Sequence, residues 1–226
     1  MNKKQNTFRL WLSTFVAATL FGVMASTANA AVLYSQPTSD GADAFFSNLG
    51  AGAQNADSFL LGGPVNVEAL RWWGSYRSTN VDDFVVRLFS DNSGVPGALL
   101  QEYAGLTVSK DGSGLMDSRG GEVFQYEYDL PDFVLSSGKY YLSVMNETLN
   151  SEWLWSVGGS GDGVSFFRGA DGDAWDVADS DLAFAVIGTR QVHPVPEPES
   201  AALVMLAGVC MLLARRRSPP PPEHTN

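Results

Sequence analysis

Cysteine and histidine are nearly absent from this chain. The single cysteine is Cys210 and the two histidines are His193 and His224, all near the C-terminal end. Residues 31–190 therefore contain no thiol and no imidazole. That removes disulfides, Ser-His-Asp and Cys-His nucleophile systems, and histidine- or thiolate-ligated zinc from the middle of the chain. Basic residues are also scarce there: 8 Lys or Arg stand against 22 Asp or Glu, a net charge of −14. A surface so acidic is repelled by nucleic-acid backbones and by anionic lipid, so nucleic acid is not an expected partner. No phosphate-binding loop is present either. The glycine-rich run Gly158-Gly159-Ser160-Gly161-Asp162-Gly163 lacks the lysine and the following helix that such a loop needs.

What is present begins at the two ends. Lys3, Lys4 and Arg9 precede a mostly apolar run from Leu10 to Ala25, and Ala28-Asn29-Ala30 supplies a small-x-small cleavage site. This order is that of a secretory signal peptide covering residues 1–30, with Ala31 as the mature start. At the other end, Ala201 to Ala214 is uncharged and apolar for 14 residues and is followed by Arg215, Arg216 and Arg217. That length is short beside the ~20 residues of an ordinary spanning helix. The arginines favour the cytoplasmic side, which puts residues 31–190 on the far side of the membrane.

Pro196-Glu197-Pro198, the apolar segment and the arginine cluster, in that order near the terminus, resemble the PEP-CTERM sorting signal. The resemblance covers about 30 residues and implies a partner, a membrane-embedded exosortase-type transpeptidase that reads Pro-Glu-Pro and processes the tail. It also implies residence at the inner membrane during sorting and then at the cell surface or in the extracellular matrix, in bacteria that make exopolysaccharide and biofilm. The tail from Ser218 to Asn226 is longer and richer in proline than the signal usually is. Independently of the name, two prolines around a glutamate keep that segment extended and out of a helix, the form a processing enzyme can bind. The expected organisation is a signal peptide (1–30), an extracellular domain (31–190), a proline-rich linker (191–200), a short transmembrane helix (201–214) and a basic, proline-rich cytoplasmic tail (215–226). A plain single-span anchor with a proline-rich stem is the alternative for the C-terminal end.

Within 31–190 the hydrophobic period is two. Phe124, Tyr126, Tyr128 and Leu130 fall on one side of a strand, as do Tyr140, Leu142 and Val144, then Trp153, Trp155 and Val157, then Leu182, Phe184 and Val186. Further strands are expected over 57–62, 65–73, 82–90 and 98–108. Turns are expected at Asp91-Asn92-Ser93-Gly94, Lys110-Asp111-Gly112, Ser136-Ser137-Gly138 and Asp171-Gly172. Short alternating strands between glycine-rich turns, with no repeat and no helical period, predict an all-β domain of the β-sandwich or jelly-roll kind. The segments Ala69-Leu70-Arg71-Trp72-Trp73-Gly74, Ser93-Gly94-Val95-Pro96-Gly97, Gly138-Lys139-Tyr140-Tyr141-Leu142-Ser143-Val144 and Trp153-Leu154-Trp155 are similar to an uncharacterised sandwich domain of PEP-CTERM proteins. That likeness implies fold and location, and no activity.

Three kinds of chemistry remain open. Carboxylates are abundant, and two of them across a cleft would suffice for a glycan hydrolase, although no paired-acid strand pattern is visible. The loop carrying Asp171, Asp173, Asp176, Asp179 and Asp181 offers hard oxygen ligands suited to calcium, yet it fails the helix-loop-helix template at Trp175, Asp176 and Leu182. A solvated turn is the simpler reading of that loop. Aromatics are the third: Trp72 and Trp73 are adjacent in a strand and so face opposite ways. One of them, with Tyr76 nearby, is a candidate glycan contact, while Trp153 and Trp155 share a face and suit a core. The expected function is that of a non-enzymatic surface or matrix protein associating with exopolysaccharide or other surface components. The expected cofactor list is empty, calcium excepted.

Overall fold

The computed structural model describes residues 30–191. The signal-peptide segment before Ala30, the Pro196-Glu197-Pro198 motif, the apolar run and Arg215 to Arg217 lie outside the described residues, and so do the two helices expected to flank the domain. The described part is all-β, as the period-two patterning predicts. Its strands are β1 (Ala31–Gln36), β2 (Ala44–Phe46), β3 (Gln54–Leu61), β4 (Val65–Tyr76), β5 (Phe84–Asn92), β6 (Val95–Tyr103), β7 (Ser109–Met116), β8 (Glu122–Leu135), β9 (Gly138–Asn146), β10 (Trp153–Ser156), β11 (Ser165–Arg168), β12 (Asp176–Ala178) and β13 (Phe184–Arg190). The helical content among the described residues is one 3-10 turn, Leu49–Ala51. No helix among them is long and apolar enough to cross a membrane.

The strands form two antiparallel sheets, consistent with a β-sandwich. The first runs β1-β13-β4-β10-β2, with β8 on the other edge of β4 and β7 beyond it. The second runs β12-β11-β3-β9-β5-β6. Strand β4 organises the first sheet. One of its edges pairs with β8 from Val65 to Ser75, and the other pairs first with β13 and then, from Gly74 to Tyr76, with β10. The close approach of β10 requires glycine at position 74. A Cβ there would stand 2.4 Å from the Trp153 ring and 2.6 Å from the Leu154 carbonyl oxygen.

Between the sheets lies a core of large side chains. Trp72, Trp153, Trp155, Tyr126, Phe59, Phe84 and Phe184 are all fully buried in it, with Leu70, Leu88, Leu142 and Val144. Aromatic pairs fill this space in offset and edge-on contacts. Trp72 stacks on Tyr126 at 5.8 Å, and Phe84 meets Trp153 edge-on at 5.0 Å. The strand faces read from alternation match this core: Tyr126 and Leu130, Leu142 and Val144, Trp153 and Trp155, and Phe184 and Val186 all point inward. The outer side of the second sheet carries a smaller cluster of Ala56, Phe89, Tyr141 and Phe166, against which Val164 and Trp175 pack.

Two expectations need correction. Lys110-Asp111-Gly112 is not a turn but the middle of β7, whose register with β8 breaks between Gly112 and Leu115. A polar, glycine-containing stretch can pair as an edge strand because one edge and one face stay in water. Strands β1, β2, β11 and β12 were also invisible to alternation. The last three are 3 or 4 residues long, too short to establish a period.

The second correction concerns the tryptophan pair. Trp72 and Trp73 do face opposite ways, and Trp72 belongs to the core. Trp73 is nevertheless only 9% exposed, because Leu115, Val123, Ala183 and Ala185 close over it on the outer face. Neither ring presents an open face for stacking a sugar. Replacing Trp72 by Ala is expected to cost ~3–5 kcal/mol through lost burial and a cavity. The same range is expected for Trp73→Ala, since its ring is almost as deeply covered. Chemical denaturation of both variants tests this, and a Trp73→Ala loss of under ~0.5 kcal/mol, the range of surface changes, would show that its cover is open.

Candidate carboxylate site

The strongest concentration of titratable groups among the described residues is not the aspartate loop taken alone. It joins one residue of that loop to two others. Carboxylate oxygens of Asp57, Asp162 and Asp181 all lie within 4.8 Å of one another. Asp57 comes from β3, whose inward row continues through Phe59 and Leu61 into the core. Its inward position leaves it fully buried, while Asp181 is 8% exposed and Asp162 lies at the surface. Asp162 belongs to the glycine-rich run after β10, and Asp181 immediately precedes the residues that enter β13.

Local backbone geometry gathers these side chains. Asp57 Oδ2 accepts from Gln36 Nε2 and from the Leu182 amide, each at 2.6 Å, and Oδ1 accepts from the Ser58 amide at 2.5 Å. Gln36 is held in turn by Tyr34, whose hydroxyl donates to Gln36 Oε1 at 2.7 Å. The Asp181 carboxylate accepts from the Gly161 amide at 3.0 Å and the Gly163 amide at 2.8 Å, so the glycine-rich run wraps around it. Glycine is needed at 161: a Cβ there would stand 2.0 Å from Gln36 Oε1 and 2.3 Å from Asp181 Oδ1. Asp162 accepts from Lys139 Nζ at 3.1 Å, from Ser58 Oγ at 3.2 Å and from the Val164 amide at 3.2 Å.

The electrostatics differ sharply across the trio. Burial pushes the Asp57 carboxyl up to about 8; the neighbouring Asp181 charge adds to this, and the bonds from Leu182, Ser58 and Gln36 oppose it. Burial also tends to raise Asp162, but Lys139 and its other donors outweigh that and hold it below the usual carboxylate range. The Tyr34 hydroxyl is driven upward by burial and by the three aspartates. At neutral pH Asp57 therefore keeps its proton, and Asp162 is ionised beside an ammonium group. One proton and Lys139 together offset two of the three negative charges. Converging carboxylate oxygens are also the donor set of a calcium ligand shell. A cation there would have to displace the Asp57 proton and sit against the Lys139 charge.

The other residues of the aspartate loop do not join this group. Asp171 is held between Arg87 Nη1, at 2.8 Å, and Arg168 Nη2, so cations already occupy the place a calcium ion would take on its Oδ1. Asp173, Asp176 and Asp179 are exposed and belong to no cluster of three or more such ligands among the described residues. The five aspartates of the loop do not converge as one ligand group: Asp176 lies in β12, the others flank it, and Asp181 alone of the five joins Asp57 and Asp162. Nothing in the linear sequence marked Asp57, which is 105 positions or more from its partners. The one available signal was a lone aspartate in an otherwise core-facing row of β3.

Tyr76 is only partly exposed. Its hydroxyl donates to Asp82 and accepts from Asn146 Nδ2 at 3.2 Å, and Lys110 Nζ lies 5.0 Å from its ring. The ring is thus engaged by the protein itself. Asn146 is itself fully buried, its amide donating also to the Val81 carbonyl at 2.8 Å. Of the carboxylates on the outer side of β8, Glu127 and Asp129 line a shallow groove, and Glu127 is committed to Arg71 at 2.5 Å.

A raised carboxyl pKa has a definite sign in stability. An unfolded aspartate loses its proton near pH 3.9, whereas folded Asp57 retains it to about 8. Between those values the folded state binds more protons than the unfolded one, so stability falls as pH rises. This group alone contributes a slope of about −1.4 kcal/mol per pH unit across that window. Urea denaturation at pH 5, 6, 7 and 8 measures it, and Asp57→Asn, which mimics the protonated acid, is expected to flatten the profile. An unchanged slope in that variant would remove Asp57 as the source. The proton-held arrangement also predicts the same melting temperature in millimolar calcium and in chelator. A rise with calcium that Asp57→Asn abolishes would put the metal in the proton's place.

Compared with known proteins, the chain matches no family model, no curated protein and no solved structure.

Proposed function

We propose that this chain is an exported, exosortase-sorted protein of the cell surface or extracellular matrix. In this reading it is non-enzymatic, and its sandwich domain associates with exopolysaccharide or other surface components. The observation that carries the reading is the order of features at the C-terminal end: Pro196-Glu197-Pro198, the apolar run 201–214, then Arg215, Arg216 and Arg217. The basic, apolar and small-x-small segments ending at Ala28 and Ala30 support it from the other end. The two sets of charges agree on topology, since both leave the intervening residues outside the cytoplasm.

Several properties of the domain fit such a role. It is self-contained, with strands running from Ala31 to Arg190, and its negative charge favours solubility in an exported protein. It has no cysteine and hence no need of an oxidising folding pathway. Its core is large enough to hold two sheets together without covalent staples. The non-enzymatic part of the reading rests on the sequence: residues 31–190 lack histidine and cysteine, and the acids that remain do not fall in a paired strand pattern.

Changing Pro196, Glu197 and Pro198 together to alanine tests the sorting claim. Export is expected to continue, with the protein retained at the inner membrane and lost from the surface and matrix fractions. Membrane fractionation and surface labelling of the two forms read the difference. Unchanged surface delivery would overturn exosortase-type sorting and favour a simple single-span anchor.

A further inference from the structure

We propose that Arg87 and Arg168 form a carboxylate socket, filled in this structure by the chain's own Asp171, that accepts a uronic-acid residue of an acidic polysaccharide. The proposal rests on the reading that the domain meets extracellular polysaccharide, and it names the class of sugar and the place of contact. Only 8 basic residues occur between positions 31 and 190, and two of them converge here on one oxygen atom.

The cations are built in and the anion is not. Arg87 projects from β5 and Arg168 from the end of β11, and each side chain is only 11% exposed. Gln54 Oε1 accepts from Arg168 Nε at 2.8 Å and from Arg87 Nη1 at 3.4 Å, while Gln54 Nε2 donates to Ser143 Oγ at 3.0 Å and so fixes the amide. Glu102 holds Arg87 Nε at 2.7 Å, and the Trp175 ring lies 4.4 Å from the Arg168 guanidinium carbon. Both guanidiniums are thus held in place before any ligand is considered. Asp171, by contrast, is 62% exposed. It sits on the turn between β11 and β12, closed by a bond from the Asp173 amide to the Ala170 carbonyl at 3.2 Å, with Gly172 at φ +91°.

That contrast makes Asp171 an exchangeable ligand. Both arginines reach the same oxygen, Oδ1, so neither pairs with the carboxylate through two parallel bonds. An incoming carboxylate can bridge the pair with one oxygen on each guanidinium, so that the two cations no longer share a single acceptor atom. Beside Arg87 and Asp171 is a cavity of about 100 Å³, walled on its other sides by Leu49, Ala53, Gln54, Met145 and the Gly169-Ala170 backbone. That space is larger than a single water needs, and it gives a carboxylate a way in beside Arg87. In place of Asp171 a uronate would meet the same two guanidiniums, while the displaced Asp171 carboxylate turns out to solvent and keeps its charge. Glu102 and Asp173 also stand near the two guanidiniums, and the repulsion from the more distant acids of the domain is screened beyond ~8 Å at physiological salt.

Isothermal titration calorimetry of the full-length protein with trigalacturonate, maltotriose and acetate tests the socket. Trigalacturonate is expected to bind. Asp171→Asn, which removes the internal competitor, is expected to tighten it at least fivefold. Arg168→Lys, and separately Arg87→Lys, should weaken it at least tenfold, with circular dichroism identifying any variant that has lost its fold. An affinity unaltered by Asp171→Asn, or by whichever lysine variant stays folded, would overturn the socket. Acetate binding as tightly as trigalacturonate would overturn the glycan as its ligand. Maltotriose binding that ignores all three substitutions, with no uronate binding, would overturn the socket and leave the polysaccharide reading standing.

Discussion

The structure depends on one strand having two complete sets of partners. Strand β4 is hydrogen-bonded to β8 along nearly its whole length on one edge and, on the other, to β13 and then β10 in succession. Because β10 and β13 share that edge, the chain between them must loop out and return, which produces the glycine-rich run and the aspartate loop. The inward row of β4 supplies Val65, Val67, Leu70 and Trp72 to the core. That row is not strictly alternating. Both neighbours skip Glu68, and the resulting bulge shifts the inward set from odd to even positions. A strand without the bulge would have sent Trp73 inward and Trp72 outward. A one-residue irregularity thus decides which of two identical neighbours packs against Tyr126 and Phe84.

Among the buried polar side chains, Asp57 is the carboxyl that the interior perturbs most strongly. Asp57 occupies an inward position where its ionised form would be costly, since a buried charge without a counter-ion is strongly disfavoured. The protein meets that cost in two ways. The carboxyl keeps a proton at neutral pH, and its two oxygens accept bonds from Gln36, Leu182 and Ser58, with Gln36 held in turn by Tyr34. The same network fastens β1, β3 and the connection from β10 to β13. Proton binding at Asp57 is therefore coupled to the most irregular part of the fold.

Charge is distributed unevenly on the outside as well. In a domain with a net charge of −14, the basic residues are spent on specific contacts. Arg71 meets Glu127, Lys139 meets Asp162, and Lys110 meets Asp82 while lying 4.4 Å from the Phe124 ring. Exposed pairs of this kind add little stability individually, ~0–1 kcal/mol each. Arg87 and Arg168 are different in being nearly buried and adjacent, with a single exposed carboxylate between them. Two guanidiniums side by side repel one another and need an anion, whichever chain provides it.

The sequence alone determined the all-β class, most of the long strands and their inward faces, because period-two alternation over 7 or more residues is a local property that only one strand face can satisfy. It also determined that Trp72 and Trp73 oppose each other, and that Trp153 and Trp155 do not. The features at the two ends, from Ala28 and Ala30 to Arg217, are legible only as sequence. Tertiary structure alone decided which tryptophan is core, since that depends on the bulge at Glu68. It alone decided that the aspartates of 171–181 would part company, with Asp171 joining Arg87 and Arg168 while Asp181 joins Asp57 and Asp162. Those partners come from β3, β5, β11 and the glycine-rich run. Contacts between positions so far apart arise from the pairing of strands into two sheets, which leaves no periodic trace in the sequence for a local reading to find.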